Sequence, residues 1–276
     1  MTAKKKLLVV LCSFVAVVAI VVASVMGTVA YLTSSAAVSN VFTIGNVKMH
    51  MYETSVDQNG NSIEAVPGKK TAITNSYLLV NGSTYTKDPT IYIDAGSVSS
   101  YLFVIARNDI ASIEDYDELT MKEQLLIKGW MKYSVAATGN IYVYTGVQEG
   151  EFKDEWAAAV EEIVNANDPK TKSTKEEKAA VAAARMAALE NLYTTFKGGV
   201  KAIGVGSATE QVTVDLFDHF TVYAYADLTI HASSKVTITA VAIQTADFGS
   251  EIGTKDALDA AWAAVIATYP TIHLPS

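Results

Sequence analysis

The side chains best equipped for chemistry are few: four histidines, His50, His219, His231 and His273, and one cysteine, Cys12. A zinc hydrolase of the common kind sets two histidines four residues apart on a helix, with a glutamate beside the first to activate the metal-bound water. No histidine pair here has that spacing. Asp218 and His219, with His231 further along, could converge in a β fold, but single strand histidines are more often surface or hydrogen-bonded residues than ligands. Glu114-Asp115-Tyr116-Asp117-Glu118 gathers carboxylates that suit Ca²⁺, yet it lacks the spaced ligands and central glycine of an EF-hand loop. It reads better as a solvated charge run at a helix start. Gly204-Val205-Gly206 is too short for a phosphate loop and lies between strand-like segments, not before a helix. The fourteen tyrosines suit either a carbohydrate platform on one sheet face or cross-strand packing. No catalytic residue, metal ligand or cofactor is therefore assigned.

The compartment is read from the first residues. Lys4, Lys5 and Lys6 precede an apolar run from Leu7 to Met26, and Thr28-Val29-Ala30-Tyr31 follows with small residues at two alternate positions. A basic start, an apolar stretch and small residues at the exit are what a secretory signal peptide presents, so residues 1–30 are expected to be removed by cleavage after Ala30. The run is also about the ~20 residues a spanning helix needs, which makes an uncleaved anchor the alternative. No basic cluster follows it to stop transfer, which favours cleavage. Cys12 sits next to Leu11 inside the apolar run, where a lipid acceptor would want a small neighbour.

The mature chain, residues 31–276, then has no cysteine and uses neither disulfides nor thiolate chemistry. With three lysines gone, 18 basic side chains face 29 acidic ones, a balance of −11. Such a chain lacks the basic patch that nucleic-acid binding needs. Half of all residues in the full sequence are hydrophobic, and no Pro/Gly/Ser-rich linker divides residues 31–276, so one domain with an insertion is expected.

The elements that must position these side chains are mostly strands. Val47, Met49 and Met51 alternate with Lys48, His50 and Tyr52; Ile91 to Ile93 follow Pro89; residues 101–106 form a continuous apolar run. Residues 130–135 and 141–145 read as a hairpin turned at Thr138-Gly139-Asn140. Residues 200–205, 211–215, 220–225 and 235–244 supply further strands. Short strands at this turn-punctuated spacing predict a mainly β fold, a jelly-roll-like β-sandwich.

Between the two β regions the composition shifts to alanine, lysine and glutamate. Phe152, Trp156, Val160 and Ile163 share one helical face. Thr174 with Glu177 forms a capping box, Val181, Ala188, Leu192 and Phe196 follow at helical spacing, and Gly198-Gly199 ends the run. Residues 151–197 are thus expected to be an inserted α-helical hairpin, standing apart from the β core as an appendage. A C-terminal helix over residues 255–268 is predicted, with Thr254 as N-cap and Leu258, Trp262 and Val265 on its buried face.

Gly27-Thr28-Val29-Ala30-Tyr31-Leu32-Thr33, followed by Asn40-Val41-Phe42-Thr43-Ile44-Gly45-Asn46-Val47, resembles the N-terminal hallmark of the TasA/camelysin family. Lys87-Asp88-Pro89, Gly129-Trp130, Leu216-Phe217-Asp218 and Val241-Ala242-Ile243-Gln244 agree with it in order along the chain. The resemblance implies a jelly-roll protein of Gram-positive bacteria, exported through a SipW-type signal peptidase to the extracellular matrix or cell surface. It implies assembly into biofilm fibres by donating the mature N-terminal segment to the next subunit. The partners it implies are further copies of the chain in a head-to-tail homopolymer, that peptidase, and a minor fibre-anchoring protein. Since the family includes a protein described as a metallopeptidase, that activity is the third alternative, behind a cell-surface adhesion or carbohydrate-binding module.

The residues agree with assembly on physical grounds. Residues 31–40 are small, uncharged and free of glycine and proline, so they extend readily but are too weakly apolar to anchor to a core. Such a segment gains by joining a sheet edge, where main-chain hydrogen bonds give affinity and alternate side chains give register. Leu32, Val38, Val41, Phe42 and Ile44 are the side chains expected to fill the neighbour's groove. A disordered terminus is the alternative.

Overall fold

The computed structural model describes residues 33–34, 38–133, 140–231, 233–248, 252–270 and 272. Its strands are β1 (Thr33–Ser34), β2 (Val38–Ile44), β3 (Met49–Tyr52), β4 (Tyr77–Leu78), β5 (Thr84–Thr86), β6 (Thr90–Ile93), β7 (Ser100–Asn108), β8 (Trp130–Lys132), β9 (Ile141–Tyr144), β10 (Val212–Asp215), β11 (His219–Thr221) and β12 (Val236–Gln244). The α-helices are α1 (Met121–Ile127), α2 (Lys153–Ala166), α3 (Lys175–Thr195) and α4 (Lys255–Thr268).

The fold is β-rich with helices around it. A five-stranded sheet runs in the order β2-β12-β7-β9-β8, and a three-stranded sheet in the order β10-β6-β3; β11-β5 and β1-β4 form two small pairs. Every pairing is antiparallel except β2 on β12.

The apolar runs at residues 101–106 of β7 and 240–243 of β12 have a simple cause. The five-stranded sheet is covered on both faces, so both sets of alternating side chains must be apolar. Leu102, Val104, Tyr142, Tyr144, Ile238, Ala240 and Ala242 join Met49, Met51, Ile91, Ile93 and Val214 of the smaller sheet in the main core. Tyr101, Phe103, Ile105, Ile141, Val143, Val241 and Ile243 point the other way, onto Leu258, Trp262 and Val265 of α4. That helix has the predicted bounds, and the Thr254 side chain caps it by accepting from the Ala257 amide at 3.3 Å.

The helical hairpin lies where the composition placed it, and its Thr174–Glu177 capping box is formed. It is not an appendage. Trp156, Val160, Leu189 and Tyr193 belong to the main core cluster. The last carbonyls of a helix have no partner within the helix; here the hairpin supplies them. The Trp156 indole donates to Ile127 O at 3.1 Å and the Tyr193 hydroxyl to Leu126 O, both at the end of α1. The buried face of α3 also differs from the expected one: it comprises Ala182, Arg185, Leu189 and Tyr193. Arg185 is 3% exposed, and Nε and Nη2 grip both carboxylate oxygens of the buried Glu123 at 2.6 and 3.0 Å. The same Nη2 reaches Glu118 O at 2.8 Å.

Two predicted strands are altered. Residues 200–205 form no strand; only Val205 bridges, to Ser100, with hydrogen bonds of 2.8 and 2.9 Å. The chain presses too close for regular pairing there, since a Cβ on Gly204 would lie 2.0 Å from Ser99 Oγ. The expected strand at 220–225 shortens to β11, and beyond it Tyr225 is 84% exposed. The hairpin turn at residues 138–139 falls outside the described residues.

Candidate assembly surface

Val41, Phe42, Thr43 and Ile44 combine β-branched and aromatic side chains, which suit a pleated strand. They form the end of β2, which lies parallel to β12 in a register that runs from Val38 opposite Thr237 to Ile44 opposite Ile243. β2 is the terminal strand of the five-stranded sheet.

Successive side chains of β2 serve opposite faces. Val41 packs on the main core, while Phe42 and Ile44 pack on the cluster under α4. All four residues from Val41 to Ile44 are half-buried. Two contacts clamp the strand from the end of α4: the Phe42 and Tyr269 rings lie 4.9 Å apart, and the Tyr269 hydroxyl donates to Thr43 O at 2.5 Å. At Gly45, with φ of 93°, the chain bends away toward β3; a Cβ there would strike the Gln244 side chain at 2.4 Å.

Of the residues assigned from sequence, Val38, Val41, Phe42 and Ile44 therefore lie in one strand on an edge of the main sheet. Thr28, Val29, Ala30, Tyr31 and Leu32 lie outside the described residues. Within a single chain the seat on β12 is filled by the chain's own β2, so residues 41–44 do hold to a core. Sequence reasoning missed Tyr269 and the parallel partner; an aromatic just past an amphipathic helix was the only local signal for the former.

The other candidates separate. His231 is buried, with Nδ1 2.9 Å from Ser234 Oγ and Nε2 3.4 Å from Ser112 Oγ. Asp218 is engaged by Lys128 at 2.5 Å. His50 lies 3.2 Å from Asp94, and His273 falls outside the described residues. Among the described residues no group of three His, Cys, Asp or Glu side chains is placed to hold a metal ion. The Val205 amide in Gly204-Val205-Gly206 is consumed by its bond to Ser100. Half of the fourteen tyrosines serve packing: Tyr77, Tyr85, Tyr101, Tyr133, Tyr142, Tyr144 and Tyr193 are buried.

The acidic run leads into α1 and is only partly solvated. Asp117 pairs with Lys178 and Glu118 with Lys170, both from the hairpin region, and Glu114 turns inward at 3% exposed. Glu114 accepts from Asn108 Nδ2 at 2.6 Å and the Met121 amide at 2.8 Å. Burial pushes its carboxyl up from 4.5 to about 7, against those two hydrogen bonds. The folded chain thus keeps a proton on Glu114 that the unfolded chain has released, from the ordinary carboxylate range up to about 7. Stability from this group falls as pH rises through that window and levels off above it, by up to about 3 kcal/mol. Urea midpoints at pH 5 and pH 8 should therefore differ more for the wild type than for Glu114→Gln; parallel pH profiles would refute this.

A second buried ion pair joins β3's exit to the segment before β6: Lys87 Nζ lies 2.5 Å from Glu53 Oε2, both fully enclosed. Burial pushes the Lys87 ammonium down, with Glu53 opposing. Nearby, Asp88 accepts from the Thr54 amide and hydroxyl, each at 2.8 Å, and pairs with Lys70 at 3.0 Å. The Lys87-Asp88-Pro89 run is thus a structural junction that fixes β6.

Among the described residues no helix is long and apolar enough to cross a membrane. Comparison of the chain with family models, with curated proteins and with solved structures finds no match.

Proposed function

We propose that the chain is a secreted, non-enzymatic subunit of an extracellular fibre, with its two sheets in a jelly-roll arrangement. Residues 31–44 pass to a neighbouring copy and take the seat on β12. The observation that supports this most is the parallel placement of β2 on the terminal edge of the main sheet, next to the bend at Gly45. A strand held at an edge by one ladder and a few half-buried side chains can be replaced by the same strand of another copy, because both make the same contacts. An exchange of this kind is head-to-tail. It does not close, and so it grows as a filament.

The resemblance of residues 27–33 and 40–47 to the TasA/camelysin hallmark supports the same reading, together with export through a SipW-type signal peptidase and location in the matrix or on the cell surface. In this account a minor protein anchors the fibre. The reading is tested in two steps. Intact-mass analysis of the exported protein should find Tyr31 as the first residue, and negative-stain microscopy of that purified chain should find filaments. A species retaining residues 1–30, or monomers under all assembly conditions, would set the reading aside.

A further inference from the structure

The outer face of the three-stranded sheet carries a second surface that the fibre reading does not use. His50 and Tyr52 alternate with the buried Met49 and Met51 along β3, so their rings point outward, and Tyr92 of β6 stands directly opposite His50. The His50 and Tyr52 rings lie nearly parallel with centroids 6.1 Å apart, and Tyr92 lies 5.9 Å from Tyr52. Pro67, Gly68, Lys69 and Lys70 wall one side, and with Gln211 these rings enclose a groove of about 440 Å³.

The wall is a formed turn. Lys69 N donates to Val66 O at 3.1 Å, Pro67 follows Val66, and Gly68 has φ of 79°, as a type II turn requires. The opposite rim is also fixed, since Asp94 accepts from Gln211 at 3.2 Å and lies 3.2 Å from His50 Nε2. Neither the Tyr52 nor the Tyr92 hydroxyl bonds another described residue. Burial pushes the Tyr92 hydroxyl up, so it remains a neutral donor.

Rings set along a sheet face beside two unbonded tyrosine hydroxyls, with an amide and an imidazole held in place by Asp94, suit a ligand with apolar ring faces and hydroxyl edges. The charge in the groove decides between classes of polymer. Lys70 is neutralised by Asp88 at 3.0 Å and lies 3.8 Å from Asp215, and Asp94 faces His50. With Lys69 the groove holds two lysines against three neighbouring carboxylates, Asp88, Asp94 and Asp215, so it has no surplus of cations for a phosphate or uronate chain. We propose that this face binds a neutral polysaccharide, its sugar rings stacking on Tyr52 and Tyr92, with Gln211 and Lys69 donating to hydroxyls at the rim.

Isothermal titration of the mature chain with cellohexaose, laminarihexaose and mannohexaose, and with an oligogalacturonate as anionic control, tests this. The measurement works on monomer or filament, so its outcome is independent of the assembly reading. At least one neutral oligosaccharide should bind. Tyr52→Ala and Tyr92→Ala, made singly, should each weaken that binding roughly tenfold, while Tyr52→Phe and Tyr92→Phe, which keep the rings, should retain most of it. Tyr225→Ala, at an exposed ring outside the groove, should leave it unchanged. Binding of the oligogalacturonate alone, no binding to any of the three neutral sugars, or wild-type affinity in either alanine variant would overturn the proposal.

Discussion

Replacing residues 151–197 with a short Gly/Ser linker will yield a chain without a cooperative unfolding transition. The hairpin is joined to the rest of the molecule by burial and by charge at once. Trp156, Val160, Leu189 and Tyr193 lie in the main core, and each apolar side chain of this kind contributes roughly 1.5–3 kcal/mol. The deletion also takes away Arg185, the buried ion-pair partner of Glu123, which then keeps only its hydrogen bonds from the Thr120 amide and hydroxyl. The Ile127 carbonyl loses its indole donor and the Leu126 carbonyl one of its donors as well. Together these losses match or exceed the ~5–15 kcal/mol that holds a typical domain folded. Near-UV circular dichroism during heating is the measurement; a sharp transition in the deleted chain would contradict the packing described above. The single substitution Arg185→Ala isolates the charge contribution and should lower stability by about 3–5 kcal/mol on its own.

The second large effect concerns β2. Deleting residues 31–44 from the mature chain should abolish filaments and leave a folded monomer. The strand's three half-buried side chains Val41, Phe42 and Ile44 contribute roughly 2–5 kcal/mol, and its ladder hydrogen bonds add about 1 kcal/mol each. Ordering seven residues costs about 7 kcal/mol or more. The balance lies within a few kcal/mol of zero, so the seat on β12 is exchangeable and the rest of the fold does not depend on it. The core of the five-stranded sheet remains covered by α4 and by the smaller sheet. Sedimentation velocity and electron microscopy of the truncated chain read the outcome directly: filaments growing at the wild-type rate would rule out strand donation by this segment.

Much of this architecture is legible in the sequence where the determinants are local. The bounds of α4 follow from Thr254 and from the spacing of Leu258, Trp262 and Val265, all within one stretch of chain. β7 and β12 are legible because burial on both faces leaves long apolar runs. What escapes the sequence depends on distant partners. Nothing local marks Arg185 for burial, which depends on Glu123, 62 positions away. Glu114 reads as part of a solvated run because the residues that enclose it come from other elements. The same holds for the assembly surface. The strand character of residues 41–44 is local, but Thr43 and Tyr269 are 226 positions apart, and the parallel register on β12 leaves no trace in the pattern of β2 itself.

The claim that β2 moves between subunits can be tested by covalent trapping. Val41 and Ala240 stand opposite each other in the parallel ladder, and residues 31–276 contain no cysteine, the one cysteine of the sequence being Cys12. The double variant Val41→Cys, Ala240→Cys can be assembled under reducing conditions, then oxidised and run on a non-reducing gel. Donation predicts a ladder of disulfide-linked multimers, because each strand is joined to the β12 of its neighbour. A single cross-linked monomer band from assembled material would show that each subunit keeps its own strand, and would contradict the account.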